Sequence, residues 1–477
     1  MVGFLFQKKR FAGILLFLSA MMLMVLEAGR VQALPFFPIA SNSVDIFLAG
    51  GVAASPDGNF LVGLAQNQTN ACAQLMSSNG VTAAPLLNLG PSQGAALVAA
   101  GTTNFLATWA GNQVEGALIN LDGSQAGASF NLPASPNSAE TAVGYGGTNY
   151  LVVWEDEGTL NPGFGVFYGQ RVNGQGQFVG SPLLLGNTLA APQYNTHAAL
   201  AYGGSQFLFA WMRTNSTSGG WDTEGTFVSD SGVVTGPFLI SQHISLDAMP
   251  PAAATDGTRF LVGMNRDSAR TSSGGPVWNV VARMLQPDGS TPGPEVMIDT
   301  NQATINAIAY DGANYLLVWG NHTYTTNSAK NVSFEMVRSN LTSLGPVFNL
   351  FSAAGPETPL FGGTVYLDGQ FAVGCMLGNL EVNGSGQIIG LTSGVVEGSL
   401  LPSSIQPPVL HPGLRTGNAF PLRLSGTPGV NYVIQAASQP GLQSWSNLIT
   451  NSPLTGSLEF TDSAASSPIR FYRASLP

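Results

Sequence analysis

A short apolar run that returns seven times limits the fold of this chain more than any other feature. The copies are Phe60-Leu-Val-Gly-Leu, Phe105-Leu-Ala-Thr-Trp, Tyr150-Leu-Val-Val-Trp, Phe207-Leu-Phe-Ala-Trp, Phe260-Leu-Val-Gly-Met, Tyr315-Leu-Leu-Val-Trp and Phe371-Ala-Val-Gly-Cys. Their first residues lie 45, 45, 57, 53, 55 and 56 apart. Self-similarity at that period is the signature of a repeat fold, and about fifty residues suits a propeller blade. Each copy follows a turn: Asp57-Gly58, Gly101-Thr102, Gly146-Gly147, Gly203-Gly204, Asp256-Gly257, Asp311-Gly312 and Asp368-Gly369. Asp-Gly and Gly-Gly tolerate the positive φ that tight hairpins need.

A strand of small residues precedes each turn, as in Thr141 to Tyr145 or Ala307 to Tyr310, and small side chains suit a crowded innermost strand. A polar loop follows the run, then a third strand (Gly169 to Val172, Val280 to Leu285), a glycine turn and a fourth strand (Pro182 to Leu185, Phe238 to Ile240). Four short strands per unit make a blade. The expectation is an all-β, seven-bladed β-propeller over 42–400. A parallel β-helix competes, but its coils are shorter and lack paired hairpin turns; two sandwiches would not repeat one signature seven times.

Val44 to Leu48 reads as an outer strand given by the N-terminus to the last blade, whose other strands come from about 359–384. The alternative is that Ile388 to Val395 completes that blade. Either way Cys72 and Cys375 fall in the first and last blades. They form a ring-closing disulfide or remain two buried thiols, as unpaired cysteines commonly are.

The flanks carry other information. Lys8, Lys9 and Arg10 precede an apolar stretch from Phe11 to Leu26, and Val31-Gln32-Ala33 has the small-x-small pattern of a cleavage site. Residues 1–33 read as a signal peptide. An uncleaved anchor is the alternative, but the stretch is short for a span and Glu27 ends it. A secreted or cell-surface protein is expected, with no membrane span once the signal is removed. Beyond residue 33 there are 12 basic against 25 acidic residues, a net charge of −13, and Lys330 is the only lysine. Such a surface repels phosphate backbones and anionic lipid, which argues against nucleic acid as a partner. Only 9% of residues are charged, yet 44% are hydrophobic in short alternating runs, a pattern of folded strands and not of disorder.

The period breaks near Ile405. Pro402, Pro407, Pro408 and Pro412 mark a linker over 401–412. Short strands then recur between Gly, Pro and Asn turns: Pro421-Leu-Arg-Leu, Tyr432-Val-Ile-Gln, Trp445 to Leu448, Ser457-Leu-Glu-Phe and Arg470-Phe-Tyr-Arg. About 65 residues with one Trp suggest a small immunoglobulin-like β-sandwich over 413–477. Tyr432-Val-Ile-Gln, then Leu442 and Trp445, then Phe460-Thr-Asp462 and Arg470-Phe-Tyr-Arg473, is similar to a C-terminal module of large secreted bacterial proteins. The pattern Asp-Gly-x-Asn-Tyr-Leu-x-Val-Trp resembles repeats of bacterial extracellular propellers. The resemblance implies architecture and export; those families vary in function, so it assigns no catalytic residue.

A site is expected where second-to-third strand loops open on one face. They are short in blades one, two and seven, and long at Glu155 to Gly165, Met212 to Gly225, Asn265 to Trp278 and Gly320 to Asn331. Loop elaboration in one sector points to a lopsided site. The ligand-binding candidates are Glu155, Asp156, Arg213, Trp221, Asp222, Glu224, Arg266, Trp278, His322 and Tyr324. Aromatic rings beside carboxylates and guanidiniums suit a glycan, while solvated loops that keep a low-charge protein soluble account for the same residues. Two functions follow. One is a non-enzymatic binding or scaffold protein for a glycan or extracellular protein, acting as a monomer. The other is a glycoside hydrolase or polysaccharide lyase using two loop carboxylates about 5–10 Å apart. No Gly-x-Ser-x-Gly elbow, His-Glu-x-x-His helix or phosphate loop occurs, and His197, His243, His322 and His411 share no ligand spacing. Neither a metal nor a cofactor is expected.

Overall fold

A computed structural model describes residues 36–475 except for connections of five residues or more at 42–46, 157–164, 189–197, 243–249, 271–275, 322–329, 383–387, 403–408, 427–431, 438–444, 452–456 and 464–469, and shorter ones elsewhere. The segment expected to be a signal peptide, His197, His243, His322 and Tyr324 lie outside the described residues. All described elements are β-strands.

Seven four-stranded antiparallel sheets follow one another along the chain. Their innermost strands are Phe47–Ala54, Leu97–Ala100, Ser138–Gly146, Ala199–Gly203, Ala252–Thr255, Ala303–Tyr310 and Glu357–Leu367. Each lies beside the next, and the seventh returns to the first, which closes the ring of a seven-bladed β-propeller. Gly58, Gly257 and Gly312 at the inner hairpins have φ near +90°, as the Asp-Gly pairs require.

The core is divided by seam. Seven apolar clusters form, each shared by two neighbouring blades. Strand alternation explains the division. In the second strand of blade three (Asn149–Asp156), Tyr150, Val152 and Trp154 pack toward blade two, whereas Leu151 and Val153 pack toward blade four. The Trp that ends the repeat is a spacer between blades. Trp109, Trp154, Trp211 and Trp319 are at most 1% exposed. The Trp211 indole N–H donates to Asn187 O of blade three at 3.2 Å, and that of Trp319 donates to Asp299 Oδ2 of blade five at 2.6 Å. Removing such a side chain would cost about 3–5 kcal/mol.

Ring closure differs in detail from the sequence expectation. Blade seven takes its outer strand from Phe36–Ala40, which pairs with Ile388–Pro402 from Phe36↔Ser399 to Ala40↔Val396. Ile39 and Ala40 are buried there, which anchors the N-terminal strand. Phe47 and Leu48 instead open the inner strand of blade one, opposite Gln66 and Ala65. The pair Gly50-Gly51 is an irregularity inside that strand: register shifts between Ala49 and Val52, and a side chain at Gly50 would overlap the carbonyl of Ala96. The described propeller strands therefore run from 36 to 402. Cys72 is buried in the cluster shared by blades one and seven, its Sγ 3.8 Å from Gln66 Oε1. Cys375 pairs along the backbone with Phe361 and Glu397, but its side chain lies outside the described ones.

The C-terminal residues form two three-stranded antiparallel sheets. One contains Val409–Pro412, Phe420–Ser425 and Ser457–Asp462; the other contains Ser446–Asn451, Tyr432–Ala437 and Phe471–Ser475. Leu422, Leu424, Tyr432 and Ile434 are buried between them, a small β-sandwich, and belong to the same apolar cluster as Phe371, Val373 and Leu401 of blade seven. The strand Val409–Pro412 takes these four residues from the expected linker into the sandwich.

Candidate functional site

Much of what reads as long loops is strand. In blade four, antiparallel pairing continues past Trp211 to Thr214↔Trp221, and in blade five past Met264 to Arg270↔Pro276. Blade seven, expected to be short on this face, also extends its hairpin, to Val382↔Ile388. These raised hairpins hold the candidate side chains on a rigid scaffold, and alternation decides which seam each one enters.

The seam between blades three and four collects four candidates. Glu155 shares parity with Leu151 and Val153, so it enters this seam, and it is 1% exposed. Arg213, Asp222 and Glu224 share the face of Trp211 and Thr226, whose hydroxyl donates to Leu185 O of blade three at 2.9 Å. They approach the same seam from the other side. Asp156, beside Glu155 in sequence, takes the opposite parity, toward blade two; Trp221 takes the parity toward blade five. The candidates among the described residues are thus divided among seams, and four of them enter this one.

Separate groups of hydrogen bonds hold the two walls of this seam. The Glu155 carboxylate lies directly against Gly165, where a Cβ would overlap it. Gly165 N donates to Thr188 Oγ1 at 3.1 Å, Thr188 N donates to Gly165 O at 3.0 Å, and Thr214 N donates to Thr188 O at 3.0 Å. Thr188, 1% exposed, therefore bridges the blade-three wall to the blade-four hairpin. On the blade-four wall Arg213 Nη1 meets Glu224 Oε1 at 2.6 Å, and Asn215 Nδ2 donates to Asp222 Oδ2 at 2.8 Å. Glu224 Oε2 and Arg213 Nε are buried, and neither hydrogen-bonds among the described residues.

Arg266 and Trp278 lie elsewhere. Arg266 enters the next seam and meets Glu295 Oε2 at 2.5 Å; Ser241 of blade four donates to the same carboxylate, and Arg283 Nη1 is 4.0 Å from it. Trp278, 2% exposed, stands opposite Asp267 on the blade-six side. Its neighbour Asn265 pins that seam, donating to Pro250 O at 3.0 Å and accepting from Ile305 N at 2.7 Å.

The sequence reading overlooked Thr188, Asn215 and Glu295. None belongs to a motif, and only the alternation of neighbouring blades brings them to the seams. Among the described residues no three His, Cys, Asp or Glu side chains converge as metal ligands would, and no helix is long and apolar enough to cross a membrane.

No protein-family model matches the chain, and no curated protein matches it. Its similarities are to solved structures. The β-propeller domain of the Trilobed protease from Pyrococcus furiosus is 9% identical with a TM-score of 0.41, covering 69% of this chain and 89% of that one. A protein of unknown function from Dyadobacter fermentans is 11% identical with a TM-score of 0.43, covering 79% and 99%. An α-L-arabinofuranosidase from Fusarium graminearum is 10% identical with a TM-score of 0.39, covering 78% and 97%. At such distance the likeness concerns fold alone, and the seven closed four-stranded sheets define this chain as a β-propeller with a C-terminal β-sandwich.

Proposed function

We propose that this chain is an extracellular, monomeric binding or scaffold protein that presents its propeller face to a glycan or protein partner. Its recognition point is the seam between blades three and four. The observation that carries this reading is the convergence there of Glu155, Arg213, Asp222 and Glu224 on two facing walls tied by Thr188. One feature favours recognition over turnover: Asp222 and Glu224 each hold a neighbour on their own hairpin. Preorganised polar groups of this kind give specificity at little ordering cost.

A carbohydrate-active enzyme is the second reading, favoured by the placement of Glu155 and Glu224 on opposite walls of one seam, as two hydrolytic carboxylates would stand. Incubating the protein with plant and bacterial polysaccharides, and measuring both retention and reducing-sugar release, separates the two. Retention without release is expected; release that disappears in both Glu155→Gln and Glu224→Gln would replace binding by hydrolysis.

A further inference from the structure

The two parts of the chain differ sharply in charge. Residues 34–412 carry eight basic against 23 acidic residues, a net −15, whereas residues 413–477 carry Arg415, Arg423, Arg470 and Arg473 against Glu459 and Asp462, a net +2. Arg470 is spent on Asp462 at 2.9 Å, an oxygen that also accepts from the Tyr472 hydroxyl at 3.0 Å. Arg473 is arranged differently.

Arg473 lies on the outer face of the sheet Ser446–Asn451, Tyr432–Ala437, Phe471–Ser475, opposite Gln435, which stands opposite Asn447. The three form a row across the sheet. Gln435 Nε2 donates to Asn447 Oδ1 at 2.6 Å, and Arg473 Nε donates to Gln435 Oε1 at 2.6 Å. The guanidinium also sits 4.4 Å from the centre of the Trp445 ring. It is thereby fixed in direction by a neutral amide and an aromatic ring, neither of which neutralises it. Its two Nη groups make no hydrogen bond or ion pair with any described residue, and the side chain is exposed. Phe471, 37% exposed, flanks it on the same face.

We propose that this face of the C-terminal sandwich binds an acidic polysaccharide. The Nη pair of Arg473 would take a sugar carboxylate in fork geometry, Trp445 and Phe471 would cover the apolar edges of adjoining rings, and Gln435 and Asn447 would meet hydroxyls. Charge complementarity selects the occupant: the positive module stands out on a negative chain, so an anionic polymer is drawn to this end and repelled by the rest. The inference is independent of the propeller seam.

The test is affinity electrophoresis of the full mature protein in gels containing polygalacturonate or the same polymer fully methyl-esterified. Retardation by polygalacturonate alone is expected, weakened about tenfold in Arg473→Ala and in Trp445→Ala and abolished by about 0.5 M NaCl. Arg423→Ala removes the same charge from the other sheet and is expected to bind as the parent does. Arg473→Lys keeps the charge but loses the planar fork, so it is expected to be weakened too, and it carries the test if the alanine variant fails to fold. Equal retardation by both polymers, equal loss in Arg423→Ala, unchanged binding by Arg473→Lys, or no retardation at all would overturn the proposal. Retardation lost only in Arg213→Ala would move the acid-polymer site to the propeller and overturn it as well.

Discussion

The blade-three/blade-four seam and the outer sheet of the C-terminal sandwich each present an arginine, with opposite results. In the seam, Arg213 faces a carboxylate whose side chain is 13% exposed, so the pair is part of the wall and its loss would leave a buried charge. On the sandwich, Arg473 is held by Gln435 and Trp445 and remains exposed with its charge unspent. The same residue types are structural where buried beside an opposite charge and available where exposed beside a neutral partner.

That contrast can be broken by substitution. The largest effect is expected from Arg213→Ala, which strands Glu224: a loss of about 2–4 kcal/mol in chemical denaturation. Arg473→Ala should change stability by less than about 0.5 kcal/mol in the same experiment, because it removes an exposed side chain. Equal losses would erase the distinction. Next comes Gly165→Ala, whose methyl must displace the Glu155 carboxylate, with an expected cost of about 1–3 kcal/mol and a lowered Tm.

A smaller effect sharpens the comparison within the propeller. Gln74, Gln170, Arg283 and Glu335 occupy one blade position, each opposite the third residue of the repeat run. The first three donate to outer-strand or connecting carbonyls: Gln74 to Ala84 O at 2.6 Å, Gln170 to Gly180 O at 3.2 Å, Arg283 to Ile240 O at 2.8 Å. Glu335, 8% exposed, is an acid at a donor position, and burial, with Asp299 adding to it, pushes its carboxyl above the ordinary range against a lowering hydrogen bond to Ser343. A folded pKa raised above the unfolded one contributes stability at low pH that is lost as pH rises through the raised value. Glu335→Gln should therefore match the parent near pH 4 and exceed it by about 1 kcal/mol at pH 7, read from denaturation midpoints. A variant less stable than the parent at pH 7 would show that the carboxylate is the preferred form.

The blades were legible because their signals are local. Asp-Gly turns, small inner strands and the terminal Trp of the run recur at fixed offsets, and each has a mechanism within one hairpin. The seams were not legible for the opposite reason. Glu155 and Asp156 are neighbours in sequence and read as one acidic cluster, yet alternation sends them to different seams. Which parity faces which blade depends on packing between repeats, which no single repeat encodes. The closing strand Phe36–Ala40 was missed because Phe47 and Leu48, read as part of an outer strand, continue through the irregularity at Gly50-Gly51 into the inner strand of blade one. The expected loops of blades four and five were overestimated because their polar residues pair as extended hairpins.

The central claim is that the blade-three/blade-four seam is the propeller's recognition point. Its most direct test is a glycan array probed with the protein, with Asp222→Asn at the seam and with Trp445→Ala on the sandwich. Ligands that need the seam should be lost in Asp222→Asn and kept in Trp445→Ala, with no reducing sugar released. Unchanged array signals in Asp222→Asn alongside loss in Trp445→Ala would contradict the claim and leave the propeller as a scaffold for the sandwich alone.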